Sequence, residues 1–213
     1  MKVLVIGATG RLGRHLVENA LEAGHEVTAF ARHIDEFPLS HQNLTLKQGD
    51  VLYPALIEAA LPGHEAVLSV IGIRQFKGPI TLLSTGIRNI INAMKNQGVK
   101  RLVTITGAGI LQENDWQIVM ESLSFPPNLQ NISLDHLRVW ELLKISDLDW
   151  TIVCPAFMHQ SEKAIDDYIV SADYYPNNAR NEASVKAVAD FMIKESSENK
   201  FLNKRVGIAS PID

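Results

Sequence analysis

Short aliphatic runs alternate with amphipathic stretches along the whole chain. Residues 2–6 carry four consecutive aliphatics, which suits a strand covered on both faces. Residues 11–23 place Leu12, Leu16, Ala20 and Ala23 at helical spacing, and Gly24 is positioned as a C-terminal stop. The pattern predicts further strands at 27–31, 44–47, 66–71, 101–106, 150–154 and 205–208. It predicts helices at 54–60, introduced by the Asp50 region, and at 85–97, with Ile87, Ile90, Ile91 and Met94 on one face and Gly98 at the end. Two more fall at 134–146, with Leu134, Leu137, Leu142 and Ile145 apolar, and at 184–195. Strand–helix alternation of this kind implies an α/β fold, a doubly wound parallel sheet with helices on both faces.

Two stretches escape the pattern, 111–131 and 156–183. Both follow strand ends in the second half of the sheet. Open α/β sheets hold ligands outside the carboxyl ends of their strands. These stretches are therefore either the substrate loops or surface loops with no ligand role.

The first strand runs into Gly7-Ala8-Thr9-Gly10-Arg11-Leu12-Gly13, and a helix opens behind it. In such a turn the first glycine permits the tight bend, the second lets the backbone approach a pyrophosphate, and the third lets helix and strand pack closely. Free N–H groups and the positive end of the helix dipole then hold the phosphates. The strand before, the helix after and the second strand beyond are all present. The turn therefore predicts a nicotinamide dinucleotide on a Rossmann-type fold, with a purely structural turn as the alternative. At the end of the second strand an NAD binder usually carries an acid that accepts from the ribose. Ala31-Arg32-His33 stands there instead. A guanidinium grips a 2′-phosphate that a carboxylate would repel. Arg32 is thus expected to select NADP(H) over NAD(H); the alternatives are a solvated arginine or one stacked on adenine.

Length and composition narrow the class. A chain of 213 residues suits one α/β domain spanning 1–213, and folding at this size buries roughly 70% of the surface the unfolded chain exposes. A net charge of -4 gives no global reason to hold nucleic acid or an anionic membrane. Cys154 is the one cysteine, which excludes an internal disulfide and a thiolate metal cluster. His33, His41 and His64 stand in no cluster with acids or Cys154 that suggests a metal. No apolar run approaches the roughly 20 residues that cross a bilayer, and the apolar stretch before Gly7 is too short for a signal sequence. A cytoplasmic location is the expectation. No long heptad or hydrophobic seam demands a dimer, which leaves the oligomeric state open, a monomer included.

At this point the residues carry a family likeness. The opening from Val3 to Gly13 resembles the atypical short-chain dehydrogenases, and most of all their NAD(P)H-binding flavin reductase/biliverdin reductase B-like branch. Gly49-Asp50-Val51 looks like the segment that family places beside adenine. Gly86-Ile87-Arg88-Asn89-Ile90-Ile91 with Gly98-Val99-Lys100-Arg101 resembles its central helix and fifth strand. Leu148-Asp149-Trp150-Thr151-Ile152-Val153 followed by Pro155 is similar to its sixth strand, and residues 184–192 resemble its closing helix. By that resemblance Gly7, Thr9, Gly10, Arg11 and Leu12 surround the pyrophosphate, Arg32 meets the adenosine phosphate, and Asp50 and Val51 meet adenine. Ile71, Gly72, Thr106, Pro155, Ala156 and Phe157 would line the nicotinamide end.

The catalytic residues are less clear. Typical short-chain dehydrogenases pair a Tyr with a Lys four residues on, and the lysine lowers the tyrosine pKa for acid–base work. No such pair exists here, and Gly107 stands where the family's serine is expected. The flavin reductase-like branch also lacks the tyrosine, and the start of its helix resembles Asp135-His136. His136 is then the candidate proton donor or substrate-orienting group, with Thr106 as a hydroxyl partner, unless His136 merely caps or decorates a helix start. His159, Tyr168, Tyr174 and Tyr175 are further loop candidates. Two functions follow from these residues. One is an NADPH-dependent oxidoreductase passing hydride to a small-molecule acceptor that is flavin-like, quinone-like or otherwise planar. The other is a non-catalytic NAD(P)-binding redox sensor or regulatory protein.

Overall fold

The computed structural model describes residues 1–35, 37–73, 78–160 and 167–212. In chain order the strands are β1 (Lys2–Ile6), β2 (Glu26–Ala31), β3 (Leu44–Gln48), β4 (Ala66–Ser69), β5 (Arg101–Ile105), β6 (Asp149–Pro155), β7 (Phe157–His159), β8 (Ile169–Ala172), β9 (Glu182–Ser184) and β10 (Lys204–Ala209). The helices are α1 (Arg11–Glu22), α2 (Pro54–Glu58), α3 (Leu82–Gln97), α4 (Gln130–Lys144) and α5 (Val185–Glu198). The main sheet runs β3-β2-β1-β4-β5-β6-β10-β8, parallel throughout except for the antiparallel β10–β8 edge. β7 and β9 form a separate parallel pair. Val3 of β1 registers with Val27 on one side and Ala66 on the other. The chain thus winds outward from β1 to β3 and returns beyond β1 to β4. The order reverses between β1 and β4, where doubly wound sheets open a crevice.

The unbroken aliphatic run of β1 is explained by two cores. Val3 and Val5 face one layer, with Leu16 of α1 and Val188 and Met192 of α5. Leu4 and Ile6 face the other, with Ile87 and Ile90 of α3 and Val139 and Leu143 of α4. Successive strand residues point to opposite faces, so only a sheet covered on both sides needs apolar residues at every position. The fold is the Rossmann-like α/β arrangement expected from the alternation.

Several boundaries differ from expectation, each for a physical reason. α3 starts at Leu82, three residues early, and α4 at Gln130, four residues early. The apolar face expected for α4 is out of phase: Leu134 and Ile145 are exposed, whereas Ile132, Asp135, Val139 and Leu143 are buried. A buried aspartate turns this helix, and hydrophobic spacing does not register it. β4 ends at Ser69, before the expected 71, while β6 continues to Pro155, which registers with Ile208.

The stretch 156–183, expected to be irregular, holds β7 and β8 and leads into β9; its residues 161–166 lie outside the described residues. The other irregular stretch, 111–131, contains two single 3-10 turns before α4 begins at Gln130. It is tied down at its start by the buried Arg205 of β10. That guanidinium donates to the Ile110 carbonyl and the Gln112 side chain, lies 3.5 Å from the Asp173 carboxylate and stacks 3.7 Å from the Trp140 ring centroid.

Candidate functional site

A cleft of about 660 Å³ opens at the carboxyl ends of the strands, over the point where the order reverses. That volume falls in the usual range for small-molecule sites, roughly 300–1,000 Å³. The glycine turn forms its floor. Gly7 adopts φ +91°, and a Cβ on it would come within 2.8 Å of the Val70 carbonyl oxygen. A Cβ on Gly13 would collide with the Gly7 carbonyl oxygen, so the first turn of α1 can lie this close to the strand only with glycine there. The Arg14 backbone N–H donates to Gly10 O at 3.0 Å. The N–H groups of the residues before it in the helix have no intrahelical acceptor. The first turn of α1 carries no acid and no side-chain cap, so its positive end is not neutralised from within the helix.

The walls divide by chemistry. On the side of β2 and β3 stand Arg11, Arg32, His33, Asp50 and Val51. Arg32 is exposed at the mouth, and its backbone is fixed by Gln48 Nε2 donating to Arg32 O at 2.9 Å. Asp50 Oδ1 accepts from Leu52 N at 3.0 Å, which shapes the turn into α2, and Val51 O accepts from Asn89 Nδ2 at 2.8 Å. The side of β4, β5 and α4 is built from Ile71, Gly72, Ile73, Leu82, Leu83, Ile105, Thr106, Ile132, His136 and Met158. Not one of these side chains is an acid, a lysine or an arginine.

His136 dominates that apolar side. Its ring lies over Gly107: a Cβ there would stand 3.3 Å from Cε1 and 3.4 Å from Nδ1. A serine at 107 would therefore crowd this ring, and the missing serine and the leaning histidine are one arrangement. Nδ1 is buried without a partner. Burial of the ring pushes the pKa down to about 4, against the pull of the Asp135 carboxylate. At neutral pH the ring is a neutral imidazole, able to orient a ligand by a hydrogen bond but not populated as an imidazolium donor. Thr106 Oγ1 sits 3.2 Å from Cys154 Sγ, so the hydroxyl already has a partner. Burial raises that thiol to about 12, which keeps it protonated.

Of the residues expected from sequence, Gly7, Thr9, Gly10, Arg11, Leu12, Arg32, Asp50, Val51, Ile71, Gly72, Thr106 and His136 come together on this cleft. Pro155, Ala156 and Phe157 do not line it. Pro155 is buried in the sheet and Phe157 is exposed, while Met158 reaches the cleft. The β7–β9 register, Met158 opposite Ala183, sets this alternation. The alternation Phe157-Met158-His159 was the available signal. Residues 111–131 contribute nothing to the lining, and Tyr168, Tyr174, Tyr175 and His159 lie outside it. Among the described residues no three His, Cys, Asp or Glu side chains converge as a metal site requires, and no helix is long and apolar enough to cross a membrane.

Fold and cleft define a dinucleotide-binding protein of the Rossmann type. Residues 7–198 match the model of the NAD(P)H-binding family, and the chain belongs to that family. Among curated relatives, YwnB of Bacillus subtilis (strain 168) is 27% identical over 197 residues, covering 91% of this chain and 89% of that protein. Several longer curated relatives are spanned over only about a third of their length. Among solved structures, a candidate epimerase from Bacteroides thetaiotaomicron superposes with a TM-score of 0.84 at 27% identity, covering 100% of this chain and 98% of the other. SP1627, a candidate NADH-flavin reductase from Streptococcus pneumoniae TIGR4, gives a TM-score of 0.85 at 24% identity, covering 99% of each chain. Both share the fold of this chain. Their descriptions name two different chemistries, and a shared fold does not choose between them.

Proposed function

We propose that this chain is an NADPH-dependent reductase of a flavin-like, quinone-like or other planar acceptor, acting in the cytoplasm. The division of the cleft carries this reading: among the described residues, charged groups line the β2–β3 side, and the opposite side is apolar around one neutral histidine. The residues fit a dinucleotide. The glycine turn and the bare first turn of α1 suit a pyrophosphate, and Arg32 supplies a bidentate donor for a 2′-phosphate where an acid would favour NAD(H). When bound, the reduced nicotinamide supplies hydride to the acceptor ring, and a proton from solvent completes the two-electron reduction.

The chain's own contribution is to hold and desolvate. Ile71, Ile105, Ile132 and Met158 offer flat apolar contact and exclude water, and His136 orients a polar edge of the ring by hydrogen bonding. A carbonyl needing strong protonation is poorly served, since Thr106 Oγ1 is engaged and His136 is deprotonated at neutral pH. The lone, protonated Cys154 accords with a reducing compartment.

The same absence of an acid supports a second reading, a sensor that binds the cofactor without turnover. Calorimetric titration with NADPH and NADH, followed by NADPH oxidation against a panel of flavins and quinones, separates the two. The reductase should bind NADPH more tightly than NADH and oxidise it with at least one planar acceptor. A protein that distinguishes NADPH from NADP⁺ yet leaves NADPH unoxidised in the presence of every acceptor is the sensor. Binding of neither nucleotide overturns both readings.

A further inference from the structure

α3 begins without a cap of its own. Its N-cap residue, Thr81, makes no side-chain capping bond. The cap comes from another helix. Asp135, fully buried in α4, accepts from Leu83 N at 2.9 Å and Ser84 N at 3.3 Å through Oδ2, and from Ser84 Oγ at 2.5 Å through Oδ1. One turn further along α4, Arg138 donates to Ile80 O at 3.0 Å and lies 3.5 Å from Asp135 Oδ1. Residues 80–84 are thus gripped by two side chains of the neighbouring helix. A carboxylate at the positive end of a helix, taking up its orphan donors, is the strongest form such a grip can take.

The grip lies directly behind the cleft. Leu82 and Leu83, in the first turn of α3, line the apolar side; so do Ile132 and His136, which flank Asp135 on α4. Asp135 does not line the cleft itself. We infer that Asp135, seconded by Arg138, is a positioning residue: it fixes the gap between α3 and α4 and so sets the width of the slot that receives the nicotinamide and its acceptor. This inference rests on the dinucleotide reading above. On the β2–β3 side, the glycine turn and Arg32 stand on other elements, and Val51 meets α3 only at Gly86 and Asn89, beyond the gripped residues 80–84. Disturbing Asp135 should therefore loosen one half of the site and spare the other.

The test uses two ligands and three proteins. NADPH occupies the whole cleft, whereas adenosine 2′,5′-bisphosphate carries the adenosine end and no nicotinamide. Both are titrated into the wild type, Asp135→Asn and Arg138→Met, with folding checked by thermal melting. Asparagine offers one acceptor oxygen where two now receive three donors. Asp135→Asn should weaken NADPH by about five- to tenfold, the low end of coupling between distinct sites, and leave the bisphosphate within about twofold. Arg138 is half-exposed, so Arg138→Met should fold and shows the same split at about threefold; it alone decides if Asp135→Asn does not fold. Equal weakening of both ligands, or no weakening of NADPH, overturns the positioning role. A wild type that binds neither ligand overturns the dinucleotide reading, and this one with it.

Discussion

The two ends of the parallel sheet each carry a hollow, and they differ in what happens to the polar groups around it. At the amino ends of β4, β5 and β6 a hollow of about 400 Å³ is bordered by His64, Glu65, Lys100 and Arg101. There the groups are taken up within the protein. His64 Nδ1 reaches Leu61 O and Nε2 reaches Thr28 Oγ1. Glu65 accepts from Lys2 N, and Lys100 pairs with Asp147. The Arg101 guanidinium donates to the Asp149 carbonyl and to Glu195, whose carboxylate also receives Thr151 Oγ1 and two backbone N–H groups. Arg101 Nε alone of that group is buried without a partner. At the carboxyl ends the reverse holds: a bare helix end, an exposed Arg32 and a histidine with an unpartnered Nδ1. A hollow whose polar groups are satisfied is part of the frame; one whose groups await partners is a site.

The sharpest way to break this contrast is to remove Glu195. It forms a buried pair with Arg101, and truncating one partner of such a pair costs about 3–5 kcal/mol. Glu195→Ala should lower the urea midpoint accordingly and leave the NADPH affinity of the folded fraction unchanged. A parallel loss of affinity would mean that the two ends are coupled.

Next in size is the pH dependence of His136. Its folded pKa of about 4 lies below the unfolded value of 6.5, so between the two the unfolded chain binds more protons. The associated stability is complete above pH 6.5 and is lost as the pH falls towards 4, on the order of 3 kcal/mol at most. His64, also pushed down by burial, contributes in the same direction. Urea midpoints at pH 7 and pH 4.5 should differ less in His136→Asn than in the wild type; an equal difference would remove His136 from this role.

A smaller effect belongs to Arg32→Ala, which should lose about 1.5–3 kcal/mol of NADPH binding, the worth of a hydrogen bond to a charged group. NADH binding should barely change. Unaltered NADPH affinity would return Arg32 to the solvent. Smallest of all is Lys100→Ala at the rim of the amino-end hollow. Its ion pair with Asp147 is exposed, and such pairs contribute little. Neither melting temperature nor nucleotide affinity should move measurably; a shift in affinity would show that the lower hollow communicates with the cleft.

The sequence made the two sides of the cleft legible to different degrees. β1, the glycine turn and the end of β2 are local features. Four aliphatics followed by glycines at fixed spacing can be read without knowing what packs against them, and their residues do meet on the cleft. The apolar side depends on contacts distant in sequence. Met158 replaces Pro155, Ala156 and Phe157 because β7 pairs with β9 some 25 residues on. Leu82 and Leu83 were missed because α3 starts under a cap supplied 52 residues away. The phase of α4 was misread because a fully buried residue on that face is an acid, and hydrophobic spacing treats an acid as solvent-facing. An aspartate in mid-helix, a poor helix former there, was the clue that could have been weighed.

The stack of Arg205 on Trp140 gives the molecule a property unrelated to binding. The chain has three tryptophans in three settings: Trp116 almost wholly exposed, Trp150 buried in the core, and Trp140 against the Arg205 guanidinium with Lys144 Nζ 4.3 Å from its ring centre. Their emission should differ in colour and yield, so the protein carries its own set of optical reporters. Loosening of the segment that Arg205 ties down would alter the Trp140 signal while Trp150 stays silent. Global unfolding would bring all three to the spectrum of tryptophan in water.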